Sequence, residues 1–468
     1  MKRRNFIAAS AGIAAGTSIL SNPVGAAVAG NNKKKVVLVG TGSRGTSFWG
    51  KRIVDNYSDL VAFVGLCDIN PGRLELAKKY MGVDCPVYTD FDKMIAETKP
   101  DLVMVTTMDS NHHEFIIRSM ELGVDVLTEK PITTDETKLQ AILDAEKRTG
   151  KKCIVGFNMR YATLPTALKE FLVKKPVGKI TSVDFHWYLN VYHGASYFRR
   201  WHGERDKGGT LLVHKATHHF DILNWFIDSD PVEITAYGAL EHYGKNNSFR
   251  GANCRNCAYT DKCQYYWDIT KDKRSMELYV ANEKYDGYIR DNCLWREQID
   301  IYDKMSLQIK YANDIVVNYS LTTYSPYEGW RIAFNGKEGR VESWSGIPWR
   351  RQEKINQATL HAAEMNQEDQ GEIDHDEIFV MNNFDREHQI LKIRAGQGGH
   401  GGGDSRLQDK IFRYPDMSDP LKHAAGTRDG AMSCLIGIAA RKSIDEKRPV
   451  RIEELTDIKP HPTRGNCS

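Results

Sequence analysis

Lys34-Lys35-Val36-Val37-Leu38-Val39-Gly40-Thr41-Gly42-Ser43-Arg44-Gly45 is a short apolar run of strand character leading straight into Gly-x-Gly-x-x-Gly, and residues 46–57 can continue as a helix. That order suits a dinucleotide. Gly40 can take the tight turn, Gly42 lets a pyrophosphate approach the backbone, and Gly45 lets the helix lie close to the strand with its N-terminus towards the phosphates. Glycine hexamers also mark ordinary turns, so the context decides. A second apolar run, Leu60-Val61-Ala62-Phe63-Val64-Gly65-Leu66-Cys67, ends in Asp68, about the ~20-residue separation at which a carboxylate accepts from a ribose hydroxyl. The expected cofactor set is Gly40, Gly42, Ser43, Arg44, Gly45 and Asp68. A carboxylate at Asp68 favours NAD, and NADP is the alternative if Arg73 or a neighbour compensates.

Working outward, strand-like and helix-like segments alternate from Lys33 to about Phe157. The runs 60–67, 102–106, 124–128 and 153–156 are separated by amphipathic stretches such as 73–80, 112–122 and 136–148, which predicts a parallel sheet covered on both faces. After about Gly178 the period becomes two: Val183, Phe185, Trp187, Leu189 and Val191, then Leu307, Ile309 and Tyr311, then Ile315, Val317, Tyr319 and Leu321 around a turn at Asn313-Asp314. This half reads as an open, mainly antiparallel sheet with a helix over 211–226. The expected organisation is a leader at 1–30, a nucleotide domain at 31–157, a substrate domain at 158–455 and a tail at 456–468. Insertions interrupt the second domain at about 243–296 and 346–425, the latter holding a glycine-rich loop, Gly396 to Gly403, read as a lid or a surface excursion. A last helix is expected over 426–444.

The chain has 468 residues with 64 basic and 61 acidic side chains, so no basic stripe points to nucleic acid. Lys2-Arg3-Arg4-Asn5-Phe6-Ile7 followed by an Ala/Gly-rich apolar run and small residues at 24–29 reads as a twin-arginine export signal, which places the mature protein in the periplasm. No later stretch has the ~18 or more apolar residues of a membrane span.

Three constellations carry chemistry. Glu129-Lys130-Pro131 closes the fifth strand-like run, where ligands bind in parallel sheets; a lysine partly desolvated there can have its pKa lowered enough to move protons. Thr107-Met108-Asp109-Ser110-Asn111-His112 follows the fourth run, and Thr107, Asn111 and His112 are expected to touch the cofactor from the other side. In the 208–225 stretch, His214, His218 and Asp221 fall at i, i+4 and i+7 of a helix. One face then carries two imidazoles and a carboxylate: Asp221 would fix a histidine tautomer for acid–base work, the two histidines would hold a metal, or the face is simply solvated.

Cys254-x2-Cys257-x5-Cys263, with Cys293 further on, spaces four thiols for a structural zinc or iron–sulfur site, with two disulfides the competing reading in an exported protein. Cys67, Cys85, Cys153 and Cys434 sit in apolar surroundings as core residues. Aromatic and basic residues crowd 187–205, and His193, Arg199 and Trp201 are the first candidates for sugar contact, through stacking and fork-like donors.

The order and spacing of Gly40-Thr41-Gly42-Ser43-Arg44-Gly45, Glu129-Lys130-Pro131, Asn158-Met159-Arg160 and His218-His219-Phe220-Asp221 resemble the glucose-fructose oxidoreductase and inositol dehydrogenase (Gfo/Idh/MocA) family from about Lys33 to Glu454. The resemblance implies a Rossmann domain plus an open-faced β-sheet domain, an NAD(P) cofactor and a saccharide or cyclitol substrate. It makes Lys130 and His218 catalytic, with His214 beside them. Glu129 and Asn158 join the cofactor set and Arg160 the substrate set. Similar Cys clusters occur in some relatives, and relatives are often homo-oligomers. Many dehydrogenases of the family carry Asp and Gly where this chain has His214 and Ala216. Three readings follow: hydride transfer from a secondary hydroxyl to a retained nicotinamide; hydrolysis or epimerisation by transient oxidation with no net cofactor turnover; and sugar binding without catalysis.

Overall fold

A computed structural model of the protein describes residues 33–351, 356–366, 375–396 and 398–464. Six parallel strands, β1 (Lys34–Val39), β2 (Val61–Cys67), β3 (Val87–Tyr88), β4 (Leu102–Val105), β5 (Asp125–Thr128) and β6 (Cys153–Val155), form one sheet in the order β3-β2-β1-β4-β5-β6. Val36 to Val39 and Val103 to Val105 are buried on both faces, which is why these runs read as unbroken apolar stretches. The strand order reverses between β1 and β4, and ligands of such sheets bind in the crevice at that switch point, outside the carboxyl ends of the strands. The glycine loop follows β1 there, Asp68 follows β2, Thr107 to His112 follow β4, Glu129 and Lys130 follow β5, and Asn158 follows β6.

The glycine loop needs its glycines. Gly40 has φ +91°, and a Cβ there would sit 2.7 Å from the Thr106 carbonyl carbon. A Cβ on Gly45 would lie 2.2 Å from the Gly40 carbonyl oxygen. The chain then enters a π-helical turn, Gly45–Lys51, that runs into the helix Arg52–Tyr57.

The second sheet has nine strands: β7 (Ile180–Asn190), β8 (Pro231–Ala239), β9 (Lys304–Tyr311), β10 (Val316–Ser325), β11 (Gly329–Gly336), β12 (Gly339–Ser345), β13 (His375–Asn382), β14 (Gln389–Arg394) and β15 (Val450–Arg451). Their order is β14-β13-β12-β11-β7-β10-β9-β8-β15, antiparallel except where β7 meets β10. Period-two burial along β9 and β10 puts Leu307, Ile309, Tyr319 and Leu321 on the covered face; the helix Ala216–Ile227 meets these strands through His219 on Tyr319 and Asn224 on Tyr311, and the helix Thr427–Glu446 packs on β8.

The structure departs from the sequence reading at five places. β3 has two residues, too few to show a period. The expected helix over 211–226 is two, Leu211–His214 and Ala216–Ile227, broken at Lys215. Val191 does not end β7: the Asn190 side chain accepts from the Tyr192 and His193 amides at 3.0 and 2.8 Å and caps the helix Val191–Arg199 instead. Part of the 346–425 insertion is sheet, because β13 and β14 extend the edge beyond β12. The described part of the glycine-rich loop is no surface excursion either: Gly399, Gly402 and Gly403 are buried. The leader at 1–30 lies outside the described residues.

Candidate active site

At the adenosine end of the crevice, both Asp68 carboxylate oxygens are engaged. One accepts from the Thr41 amide (2.7 Å) and hydroxyl (3.0 Å), the other from the Asn70 amide (2.9 Å) and Arg73 Nη2 (3.0 Å). A ribose hydroxyl would replace one of the two side-chain donors. Arg73 is also tied to Asp286 at 2.6 Å. At the glycine loop the Tyr279 hydroxyl lies 3.9 Å from the position of a Cβ added to Gly42 and accepts from the Ser43 amide at 3.1 Å. The crevice has the parts a dinucleotide needs, a glycine loop at the switch point and an acceptor carboxylate past the second strand, and a pyrophosphate would take the place of the Tyr279 hydroxyl on the Ser43 amide.

Arg44 does not point to solvent. Its Nε donates to Glu129 Oε1 at 2.6 Å, Trp49 Nε1 donates to the same oxygen at 2.7 Å, and the guanidinium lies 3.6 Å from the Phe48 ring centroid. Burial works against the Glu129 charge, but the Arg44 and Lys130 cations hold its carboxyl below the usual range. Sequence reasoning missed Asp404, fully buried at the start of the helix Gly403–Gln408, which accepts from Asn158 Nδ2 at 2.6 Å and lies 3.9 Å from Arg44. Asn158 thus reaches the crevice through a residue of the glycine-rich segment. His112 is a tie between loops: buried, it bonds Pro131 O at 2.7 Å and Thr107 O at 3.2 Å. The Thr107 hydroxyl bonds Met108 O at 3.4 Å, and Asn111 reaches Glu114 at 3.3 Å.

The helix break at Lys215 matters for the histidines. Lys130 Nζ donates to the His214 carbonyl at 3.2 Å, and His214 Nδ1 lies 2.5 Å from Asp109 Oδ2. So short a contact between two buried groups holds one proton between them. Burial and then the Lys130 charge keep the His214 ring neutral. His202 packs edge-on to it at 4.1 Å between centroids, and Trp201 stacks on His202 at 3.6 Å. His218 is buried against Phe157, and its Nδ1 has no hydrogen-bond partner among the described residues. Burial, then the Lys130 and Lys215 charges, push it well below the usual imidazole range. The site therefore holds a neutral imidazole within the field of the Lys130 amine. Burial lowers Lys130 itself to about 8, opposed by Asp109 and Glu129.

Lys130, His214 and His218 come together as expected; Asp221 does not join them. Its carboxylate faces away from His218 and binds Arg160, at 2.8 and 2.5 Å. Arg160 also reaches Asp429 at 2.8 Å and is 1 % exposed, so it is committed to this buried network and presents no donor to a substrate. Arg199 is likewise turned away, its Nη1 on Cys254 Sγ at 2.9 Å and its other nitrogen on the Tyr265 carbonyl. His193 is buried between Glu328 and Tyr197, 3.2 Å from each. Of the aromatic candidates, Trp201 borders the histidines.

Cys254, Cys257, Cys263 and Cys293 are free and line one small cavity with Tyr265 and Trp295. The four thiols converge as the spacing suggested. The metal expectation is not carried: among the described residues no group of three or more His, Cys, Asp or Glu is arranged to hold a metal ion. Hydrogen bonding accounts for the sulfurs instead, with the Trp295 amide on Cys293 at 3.4 Å and the Tyr259 amide on Cys257 at 3.4 Å.

A switch-point crevice with a glycine loop, joined to an open-sheet domain that brings lysine and histidine to its mouth, defines an NAD-binding oxidoreductase of two domains. Residues 34–157 match the oxidoreductase-family model for the NAD-binding Rossmann fold, and residues 169–452 match the model for the C-terminal α/β domain. The chain belongs to the Gfo/Idh/MocA oxidoreductase family. It is 33 % identical over 444 residues to YteT of Bacillus subtilis (strain 168), named as an oxidoreductase, covering 90 % of this chain and 98 % of that one. It is 23 % identical over 251 residues to an inositol 2-dehydrogenase/D-chiro-inositol 3-dehydrogenase of Lactiplantibacillus plantarum, 51 % of this chain and 68 % of that one. Levoglucosan dehydrogenase in complex with NADH and levoglucosan shares the fold, with TM-score 0.60, 16 % identity, and 90 % of this chain and 100 % of that one covered.

Proposed function

We propose that the protein oxidises a secondary hydroxyl of a saccharide or cyclitol while its NAD stays bound, the hydride then passing from the bound NADH to a second substrate or back within the same catalytic cycle. The observation that carries this reading is the buried Lys130 amine, poised near 8 at the carboxyl end of β5, with the buried His218 ring held neutral in part by its charge. When bound, the nicotinamide supplies the hydride acceptor. Lys130, once neutral, takes the hydroxyl proton. His218 accepts a hydrogen bond from, or donates one to, the same or the neighbouring hydroxyl, and Trp201 offers a ring face. Dehydrogenases of inositol and levoglucosan among the similar proteins support a polyhydroxylated substrate. A panel of hexoses, anhydrosugars and inositols, followed by the absorbance of reduced nicotinamide, tests the proposal. Product formed with no net reduction would mean transient oxidation; no product from any member would overturn it.

Contacts of the first insertion support the reading that the nucleotide is retained. Ser43 N donates to the Tyr279 hydroxyl at 3.1 Å, Arg274 reaches Ser43 O at 3.4 Å, and Asn282 O accepts from Asn70 at 3.0 Å. Residues 274–286 thus lie across the glycine loop and the Asp68 turn, as a cover that slows release. The basic leader fits this arrangement: a protein exported folded by the twin-arginine route would carry its nucleotide into a compartment poor in it. Dialysed protein is expected to hold about one nucleotide per chain, which needs binding well beyond about 8 kcal/mol; protein that emerges empty and rebinds weakly contradicts retention. NAD is the expected nucleotide, because Arg73 is neutralised by Asp68 and Asp286 and has no charge to spare for a 2′-phosphate. Competition between NAD and NADP for emptied protein checks this, and tighter NADP binding would show that Arg73 swings free.

Asp109 bears on the pH at which the proton moves, second to the burial that lowers Lys130. Its carboxylate favours the charged form of Lys130, so Asp109→Asn is expected to lower the lysine further. In the wild type, kcat/KM for alcohol oxidation should rise with pH through about 8, as the amine loses its proton. In Asp109→Asn the same rise should occur at lower pH. A rise that stays in place or moves up would show that another group titrates.

A further inference from the structure

The glycine-rich segment places a carboxylate and an imidazole behind Asn158. His400 Nδ1 donates to one oxygen of Asp404 at 3.0 Å, and the other oxygen accepts from Asn158 Nδ2 at 2.6 Å. The segment comes this close because residue 403 is glycine: a Cβ there would lie 2.4 Å from the Asn158 carbonyl oxygen. His400 itself holds φ +52°, a left-handed conformation uncommon outside glycine, and strained backbone of this kind clusters at functional sites. Burial opposes the Asp404 charge, yet His400, Arg44 and the Asn158 amide hold its carboxyl well below the usual range.

An ionised carboxylate only accepts, so it dictates which end of the Asn158 amide it meets. The amide N–H faces Asp404, and the carbonyl oxygen, Oδ1, is turned away from it. That oxygen belongs to a residue 1 % exposed and has no hydrogen-bond partner among the described residues. Leaving a buried acceptor unpaired is costly, and native structures contain few such atoms. A bound donor would satisfy it.

The surroundings of Asn158 identify the donor. It follows β6, at the carboxyl end of the half of the sheet that takes the nicotinamide nucleoside rather than the adenosine. Gly156 packs against Glu129, whose Cα is 4.0 Å from a Cβ added to Gly156, and Glu129 adjoins Lys130. On the other side Phe157 packs edge-on to His218, with ring centroids 5.9 Å apart. The turn 156–158 therefore meets both groups of the reacting end, where a nicotinamide ring has to lie for hydride transfer. The carboxamide of that ring sits on the carbon next to the hydride-accepting one and carries N–H donors. We infer that Asn158 Oδ1 accepts a hydrogen bond from this carboxamide, and that Asp404 and His400 are positioning residues that hold the Asn158 amide in the sense required. The inference rests on the hydride-transfer reading above and gives the glycine-rich segment a part in it.

Binding to full-length protein freed of nucleotide tests it without any turnover. Three probes are compared by calorimetry: NAD; its thionicotinamide analogue, which keeps the N–H donors; and its 3-acetylpyridine analogue, whose ketone has none. Wild-type protein is expected to bind the first two alike and the acetylpyridine analogue about 10-fold more weakly, the scale of a buried group left unpaired. Asn at 404 can donate as well as accept and no longer dictates the Asn158 amide, so in Asp404→Asn the ratio of NAD to acetylpyridine affinity is expected to fall towards one. In His400→Ala the ratio should fall partway, while ADP binds both variants as it binds the wild type. Equal affinities of the wild type for NAD and the acetylpyridine analogue overturn the inference whether or not the variants fold, and leave the hydride-transfer reading standing. Variants that weaken NAD, the analogues and ADP by one factor, with the ratio kept, would make the segment a structural prop and overturn it too. Wild-type protein that binds none of the dinucleotides would sink the nucleotide reading, and this inference with it.

Discussion

Lys130→Met is expected to lower kcat by about 10²-fold or more while leaving the bound nucleotide in place, since general acid–base catalysis contributes typically 10²–10⁴-fold. Methionine fills a similar volume but has no proton to exchange. Nothing in the nucleotide cradle depends on the amine: Glu129 keeps Arg44 and Trp49 as donors, and the Lys130 ammonium meets the His214 carbonyl instead. The loss should therefore appear in kcat and kcat/KM together, as for an interaction made in the transition state. His218→Ala tests the other half of the pair and should also cut kcat. Rapid-quench rates with nucleotide content measured on the same sample check both. A Lys130→Met protein that turns over at the wild-type rate would remove the lysine from the mechanism.

Arg160→Met is expected to cost about 3–5 kcal/mol of stability, the range for breaking a buried ion pair by removing one partner. Arg160 leaves the turn after β6 and binds Asp221 on the helix Ala216–Ile227, Asp429 on the helix Thr427–Glu446, and the carbonyls of Lys422 and Ala424 at 3.1 and 3.3 Å. It joins the nucleotide domain to both helices that back the large sheet. Without it two carboxylates face each other in a dry site, with Arg464 as the remaining cation, 3.0 Å from Asp429. Burial already lifts Asp221 to about 6, so the stranded acid should take up a proton and the loss should be smaller at low pH. Adding Asp221→Asn to Arg160→Met should recover part of it, because the second change removes the unpaired charge. Thermal unfolding of the single and double variants measures this; a single variant as stable as the wild type would mean the network contributes no net stability.

The nucleotide half was legible because its information is local. Gly40, Gly42, Gly45 and Asp68 are fixed by strand–turn–helix geometry within one short stretch, and each lies where the pattern put it. The same holds for Lys130, whose position at the end of β5 follows from the alternation of apolar runs. What the sequence withheld is pairing across distance. Asp109 meets His214 across 105 residues and Arg160 meets Asp221 across 61, and no periodicity encodes either. Asp221 follows His218 on the same unbroken helix, Ala216–Ile227, yet the buried Arg160 claims its carboxylate, while the break at Lys215 sets His214 apart from that helix. Arg199 misled for a related reason: an arginine amid aromatics has the composition of a sugar site, yet this one turns towards Cys254.

The most direct test of the account follows a labelled hydride. Nucleotide-loaded protein is mixed with a substrate from the panel that carries deuterium at its secondary carbinol carbon, and the nicotinamide is recovered by denaturation and weighed by mass spectrometry. The account predicts deuterium on the nicotinamide of wild-type protein within one turnover, and its near absence in Lys130→Met over the same time. Product formed by the wild-type protein with the nicotinamide still unlabelled would contradict it.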